Sequence, residues 1–237
     1  MKDINIGIVM TTYQRKDGKS PHYLKISLDS IFSQTYKNFK LFLIGDKYEN
    51  EDELKSIIKN YDSSKIYYEN LPYAKERDKY SGATLWYCGG INAMNHGIDV
   101  ALSQNFEYLC HLDHDDFWLE NHLELLNKCI KETNSDWLCT KSSYKVDLIL
   151  PDIKDKSEYV NFLPQKFKVI HSSTCINFKK IPLRYKNLFE EINELASSDA
   201  DLWERCREVI ENNNLKSTLV NVLTCRHDEE GYERFRN

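Results

Sequence analysis

Phe106-Glu-Tyr-Leu-Cys-His-Leu-Asp-His-Asp-Asp116 is the stretch on which the reading of this chain turns. Its first seven residues form an apolar segment of strand length, and its last four hold three carboxylates. Like charges that close disfavour one another's ionised form, so the cluster is explained most simply by a cation among them. A hard divalent ion, Mg²⁺ or Mn²⁺, takes oxygen ligands and usually shares them with substrate phosphates. A strand that runs directly into such a group points to phosphate-ester chemistry at its carboxyl end. An isolated acidic run is also commonly a solvated turn or a helix N-terminus, so the flanking sequence has to decide.

On the N-terminal side, Ile4-Asn-Ile-Gly-Ile-Val-Met10 reads as a buried strand that enters the polar Thr11-Thr12-Tyr13-Gln14-Arg15. After the loop Lys16-Asp-Gly-Lys-Ser20, Pro21 is suited to open a helix with Leu24, Leu28, Ile31 and Phe32 on one face. A second strand, Phe39-Lys-Leu-Phe-Leu-Ile44, ends at Gly45-Asp46, and Leu54, Ile57, Ile58 and Tyr61 form a short helical face before Lys65-Ile-Tyr-Tyr68. Gly89-Gly90 precedes a helix aligned on Ile91, Met94, Ile98 and Leu102, and Leu119, Leu123, Leu126 and Ile130 mark the helix after the acids. This alternation predicts an α/β fold, a single domain with a mostly parallel central sheet flanked by helices. Ligands of open α/β sheets bind beyond the carboxyl ends of the strands, so the loops at Thr11 to Arg15, Gly45-Asp46 and Asp113 to Asp116 are expected to converge. Past residue 133 the pattern loosens into strand candidates at 136 to 142, 169 to 177 and 217 to 225, with one helix at Leu202, Cys206, Val209 and Ile210. No repeat or linker divides the 237 residues, enough for one sizeable core.

Thirty-two Lys and Arg against 37 Asp and Glu give a net charge of −5, which argues against a nucleic-acid partner. The seven cysteines are scattered without a C-x-x-C pair, as a reducing cytosol allows. No run approaches the roughly 20 apolar residues that span a bilayer, and residues 1 to 20 lack a signal core. The expected location is cytoplasmic, without a transmembrane segment and with peripheral contact to a membrane surface left open. One local feature runs against the overall charge. Lys166, Lys168, Lys179, Lys180, Arg184 and Lys186 fall in a window, Gln165 to Phe189, that contains no acid. It offers an anionic acceptor, such as a phosphorylated glycan or a lipid headgroup, a place to bind.

Four blocks, the acidic stretch among them, carry a family resemblance. They are the first strand ending in Thr11-Thr12-Tyr13-Gln14-Arg15 with Ser27-Leu-Asp-Ser-Ile-Phe-Ser-Gln-Thr35 and Leu43-Ile-Gly-Asp46; Gly89-Gly-Ile-Asn-Ala-Met-Asn95-His-Gly97; Leu112-Asp-His-Asp-Asp-Phe-Trp118; and Ser198-Asp-Ala-Asp-Leu-Trp-Glu-Arg205. In this order they resemble glycosyltransferase family two, with its nucleotide-sugar-binding A-type fold; a lone D-x-D would be weak. The resemblance implies a donor site made by Thr11, Thr12, Tyr13, Arg15, Asp46, Asn92, Asn95 and Asp113 and a Mn²⁺ or Mg²⁺ ligated by Asp115. His227, in Thr224-Cys-Arg-His227, matches the histidine that completes the metal site in many members. The catalytic base falls on Asp199. The chain departs from the family pattern at Gly45, where a second acid is usual, at Met94 in place of arginine, and at Ser198 in place of glutamate. The resemblance further implies a nucleotide-sugar-binding half at 1 to 118 and an acceptor-binding half at 119 to 237.

The implied activity is metal-dependent, inverting transfer of a sugar from a nucleotide-sugar, with UDP the first choice of nucleotide, to a hydroxyl of a glycan or lipid-linked acceptor. A cation on the diphosphate stabilises the leaving group, and a carboxylate opposite takes the acceptor's proton. Asp201 is the nearest rival as base, but residues two apart do not share a helix face. Blander roles stand beside these. Asp199 can simply cap its helix, His227 can be a surface residue, His111 a core group, and His114 is expected to point away from its acidic neighbours. Trp86, Tyr87, Trp118 and Trp203 can stack on sugars, although packing is the default use of aromatics. A sugar nucleotidyltransferase and a catalytically silent carbohydrate-binding protein are the alternative functions.

Overall fold

A computed structural model of the chain describes residues 3–144, 148–194 and 196–227. Apart from α3, which the periodicity did not mark, the first half alternates as predicted: β1 (Ile6–Thr12), α1 (Ser20–Phe32), β2 (Phe39–Gly45), α2 (Glu51–Ile58), β3 (Ile66–Asn70), α3 (Gly82–Cys88), α4 (Ile91–Ser103) and β4 (Tyr108–His111). There follow β5 (Phe117–Trp118), α5 (His122–Thr133), β6 (Trp137–Tyr144), β7 (Leu148–Leu150), β8 (Tyr159–Asn161), β9 (Thr174–Asn177), α6 (Leu188–Ile192), α7 (Ser198–Asn212) and β10 (Ser217–His227).

All ten strands of the described residues join one sheet in the order β3-β2-β1-β4-β9-β6-β10-β5, with β7 on β6 and β8 on β10. β1 pairs in parallel with β2 and β4, β2 with β3, and β6 with β10, while β5, β7, β8 and β9 add antiparallel pairs. Period-two alternation supplies both faces. Ile6, Ile8 and Met10 join Leu41 and Leu43 under α1, α2 and α5, whereas Val9 and Phe42 pack with Ile98, Trp137 and Trp203 under α4 and α7. Helix α4 lies close to the sheet because it carries Gly97, where a Cβ would meet Val9 Cγ1 at 2.6 Å. Pro21 stands in the first turn of α1, as expected.

Two expected strands are shorter than their apolar runs. Phe106 donates its backbone N–H to Ala101 at the end of α4, so it belongs to the connection, and β4 begins at Tyr108. His171–Ser173 form a 3-10 turn before β9, so only the second half of the 169 to 177 candidate is strand. All seven cysteines are buried free thiols, and no helix of the described residues is long and apolar enough to cross a membrane.

Candidate active site

The carboxyl ends of β1, β2 and β4 bring the three loops together. Thr12 stands opposite Gly45 in the parallel ladder, and the Asp46 N–H donates to Thr12 O at 2.7 Å. The Tyr13 ring lies 5.2 Å from that of His114, and Arg15 reaches Asp115 at 3.6 Å. Asp46 is buried, and its Oδ2 accepts from Arg77 Nε at 3.0 Å. Arg77, which the sequence reading missed, also lies 5.1 Å over the Tyr13 ring. Burial outweighs this pairing and raises the Asp46 carboxyl above the usual range. Asp46 Oδ1 and Thr12 Oγ1 are buried without a hydrogen-bond partner among the described residues. The glycine before Asp46 has a steric cause, since a Cβ at Gly45 would meet Asn70 Oδ1 at 2.3 Å. That oxygen accepts from Tyr48 N at 2.8 Å, so the second acid usual in the family has no room here.

The acidic stretch is a turn rather than an extended strand end. Asp116 N–H donates to Asp113 O at 3.1 Å, an i to i+3 closure that puts the first and fourth side chains on one side. Ser27 Oγ donates to His114 O and Asp116 O, and Ser172 Oγ accepts from Asp113 N and donates to Asp116 Oδ2. Asp113, Asp116 and His227 consequently offer one ligand atom each within 4.8 Å of one another. Asp115, expected among the ligands, stands outside this trio and faces Arg15, whereas Asp116 was not among the expected ligands. The family resemblance implied Asp115 as the ligand beside Asp113; the turn groups Asp113 with Asp116. His114 is buried with its Nε2 unpartnered, and its ring packs edge-on against Tyr13.

His227 Nδ1 lies 2.9 Å from Asp116 Oδ2. Burial alone would depress this imidazole, but the charges of Asp116, Asp113 and Asp115 raise it to about 9. Burial, reinforced by Asp113 and Asp115 and partly offset by His227, pushes Asp116 up to about 6. Two carboxylate oxygens, with no lysine or arginine on Asp113 or Asp116 among the described residues, suit a hard divalent ion, and the imidazole nitrogen beside them favours Mn²⁺ over the oxygen-demanding Mg²⁺.

His171 joins this centre to the next part of the cleft. Its Nδ1 is 3.0 Å from Asp113 Oδ1, its Nε2 is 2.7 Å from the Tyr185 hydroxyl, and its ring stacks on His111 at 4.8 Å. Burial disfavours the imidazolium, but Asp113, Asp199 and Asp116 outweigh it and raise the His171 pKa. His111 is buried in the core as expected, but its Nε2 has no hydrogen-bond partner among the described residues, and burial holds its pKa well below normal. Tyr185 is fixed in turn by Asn95, whose amide oxygen accepts from Tyr185 N and whose amide nitrogen donates to Tyr185 O, both at 2.9 Å. Asn95 thus spends its amide inside the protein. Asn92, at the start of α4, is half-buried and directs its backbone N–H towards Glu76 at 3.4 Å.

Asp199 lies in the first turn of α7. Its Oδ1 accepts from Ser197 Oγ and from Ala200 N, and burial, partly offset by His171, raises its carboxyl above the usual range. Asp201 is neutralised by Arg205, whose Nη2 is 2.6 Å away. A cleft of about 1020 Å³ is lined by Thr11, Asp113, His171, Tyr185, Asp199, Asp201 and His227 among others, bringing candidates from both halves together. Trp86 and Tyr87 line it as well, whereas Trp118 and Trp203 are buried in the core. The expected basic face largely dissolves. Lys179, Lys180, Arg184 and Lys186 pair with Glu107, Asp136, Asp99 and Glu191, the first three from distant segments.

A model of the glycosyl transferase family 2 domain matches residues 7–192. The chain belongs to glycosyl transferase family 2. This family 2 transferase is 37% identical over 237 residues to an uncharacterised glycosyltransferase of Acanthamoeba polyphaga mimivirus, with 97% of this chain and 96% of the relative aligned. It is 24% identical over 138 residues to the Escherichia coli UDP-Glc:alpha-D-GlcNAc-diphosphoundecaprenol beta-1,3-glucosyltransferase WfgD, covering 58% of this chain and 46% of that one. Its fold is similar to that of Staphylococcus aureus TarS 1-349 in complex with UDP-GlcNAc, with a TM-score of 0.69 at 13% identity over 94% of this chain and 60% of that one. The mannosyltransferase PcManGT of Pyrobaculum calidifontis, in complex with GDP-Man and Mn²⁺, is similar with a TM-score of 0.59 at 12% identity over 99% and 60%. The family 2 transferase therefore has the fold of these enzymes, while spanning only part of the length of several relatives.

Proposed function

We propose that this transferase moves a sugar, with inversion at the anomeric carbon, from a metal-bound UDP-sugar to an acceptor hydroxyl on a glycan or lipid-linked carrier. The observation that carries the reading is the placement of Asp113 and His227 in one cleft with the half-buried Asp199. On this reading the strand-end loops, with Thr11, Thr12, Tyr13, Arg15 and Asp46, receive the nucleotide. The unpartnered Thr12 Oγ1 and Asp46 Oδ1 supply polar atoms whose burial otherwise has a cost. Asn92 and Asn95 support the donor site from α4, Asn95 by fixing Tyr185.

Asp113, Asp116 and His227 would hold the cation, with Asp115 at the margin beside Arg15. The cation, when bound there, would supply neutralisation of the charge that develops on the diphosphate leaving group. Asp199 takes the acceptor proton. Its raised pKa makes it a stronger base than a solvated carboxylate, and Asp201, held by Arg205, is not free to compete. Direct attack from the side opposite the leaving diphosphate inverts the configuration. The acceptor enters through residues of the second half of the chain.

A UDP-linked donor is supported by the names of WfgD and of the TarS complex, whereas the PcManGT complex holds GDP-Man. A thermal-shift panel of UDP, GDP and their sugars with and without Mn²⁺ tests the reading. Stabilisation by one UDP-sugar that depends on Mn²⁺ is expected. Indifference to every nucleotide-sugar would overturn it.

A further inference from the structure

The mouth of the cleft is rimmed by apolar side chains in contact with solvent. Trp86 and Phe167 are 77% and 75% exposed, and the exposed Leu148 and Ile192 line the same opening, with the exposed Ile149 next to Leu148 in β7. Phe167 occupies left-handed backbone, φ 61°, an unusual position for a bulky residue and one that displays the ring. Lys166 and Lys168 flank it, both exposed. They are the two basic residues of the Gln165 to Phe189 window for which no ion pair occurs among the described residues.

We propose that this rim seats the enzyme on an anionic lipid bilayer. Phe167 and Trp86 enter the headgroup layer, Lys166 and Lys168 meet lipid phosphates, and the cleft opens towards the membrane. The proposal rests on the transferase reading of the cleft and deepens it, because the acceptor hydroxyl is then offered at a headgroup surface. A soluble glycan fits this rim less well. Leu148, Ile149 and Ile192 have neither a ring face to stack on a sugar nor a group to hydrogen-bond it, whereas aromatic and aliphatic side chains beside lysines suit an interface. A net charge of −5 opposes general adsorption to an anionic surface, so attraction must come from this local face.

The test is co-sedimentation of the full chain with phosphatidylcholine vesicles with and without phosphatidylglycerol, alongside the Mn²⁺-UDP thermal shift on the same samples. Binding to the anionic vesicles that weakens with salt is expected. Lys166→Ser with Lys168→Ser should lower it by about fivefold per lysine. Phe167→Asn, which suits the left-handed backbone and so keeps the fold, should lower it on both vesicle types. Wild-type protein that shows the nucleotide shift yet stays in the supernatant with anionic vesicles overturns the membrane proposal and leaves the transferase reading standing. So does binding of a soluble oligosaccharide, without vesicle binding, that is lost in Phe167→Asn. Vesicle binding without a UDP shift would instead strike the UDP-donor reading of the cleft and leave the membrane proposal standing.

Discussion

The imidazole of His171 stands 3.0 Å from the carboxylate of Asp113 and thereby ties the acidic turn to Tyr185, 2.7 Å away on the other side of the ring. Groups that orient a metal-site ligand are commonly worth roughly 10- to 100-fold in metal affinity or activity. His171→Phe keeps a flat ring against His111 but removes both hydrogen bonds. It should raise the Mn²⁺ concentration needed for half-maximal transfer by roughly 10- to 100-fold, with partial recovery in His171→Asn. An unchanged Mn²⁺ requirement would reduce the histidine to packing.

The turn closed by Asp116 N and Asp113 O makes a prediction that separates adjacent acids. Asp116→Asn should remove most of the Mn²⁺-dependent nucleotide binding, read by calorimetry. Asp115→Asn, which removes only a partly exposed partner of Arg15, should cost a few-fold at most. The reverse ranking would return the cation to Asp115.

This distinction also shows what one dimension hides. Strand and helix faces in the first half were legible because period-two and 3.6-residue patterns are local, as at Ile8, Val9 and Met10 on alternate faces of β1. Convergence of the three loops followed from the parallel topology. The partners inside the site did not, because Asp113 meets His171 across 58 positions and Asp116 meets His227 across 111. The basic window failed as a face for the same reason. Its neutralising carboxylates Asp99, Glu107 and Asp136 lie outside it. A turn and an extended strand end, finally, can share one four-residue acidic sequence, and only the packing of Ser27 and Ser172 against it chooses between them.

Glu76 gives the protein a pH-dependent liability. It is 1% exposed, and burial pushes its carboxyl up to about 7 from an ordinary 4.5. Between these values the folded state binds more protons than the unfolded chain, so this group makes stability fall as pH rises from about 4.5 to about 7, with no further change above. Glu76→Gln, which still offers an oxygen to Asn92 N, should flatten that part of the profile. The gain at alkaline pH should be roughly 2–3 kcal/mol. Denaturant unfolding at pH 5 and pH 8 checks this; a variant with the wild-type slope between them would contradict it.

On the proposed reading, one cleft holds a cation-bound donor on Asp113, Asp116 and His227 while Asp199 activates the acceptor. This reading is tested most directly by measuring donor affinity and turnover together in Asp199→Asn, with Mn²⁺ present. A dissociation constant for the nucleotide-sugar within about twofold of wild type and a turnover number lower by roughly 10²- to 10⁴-fold are expected. Turnover close to wild type with the donor still bound would contradict it.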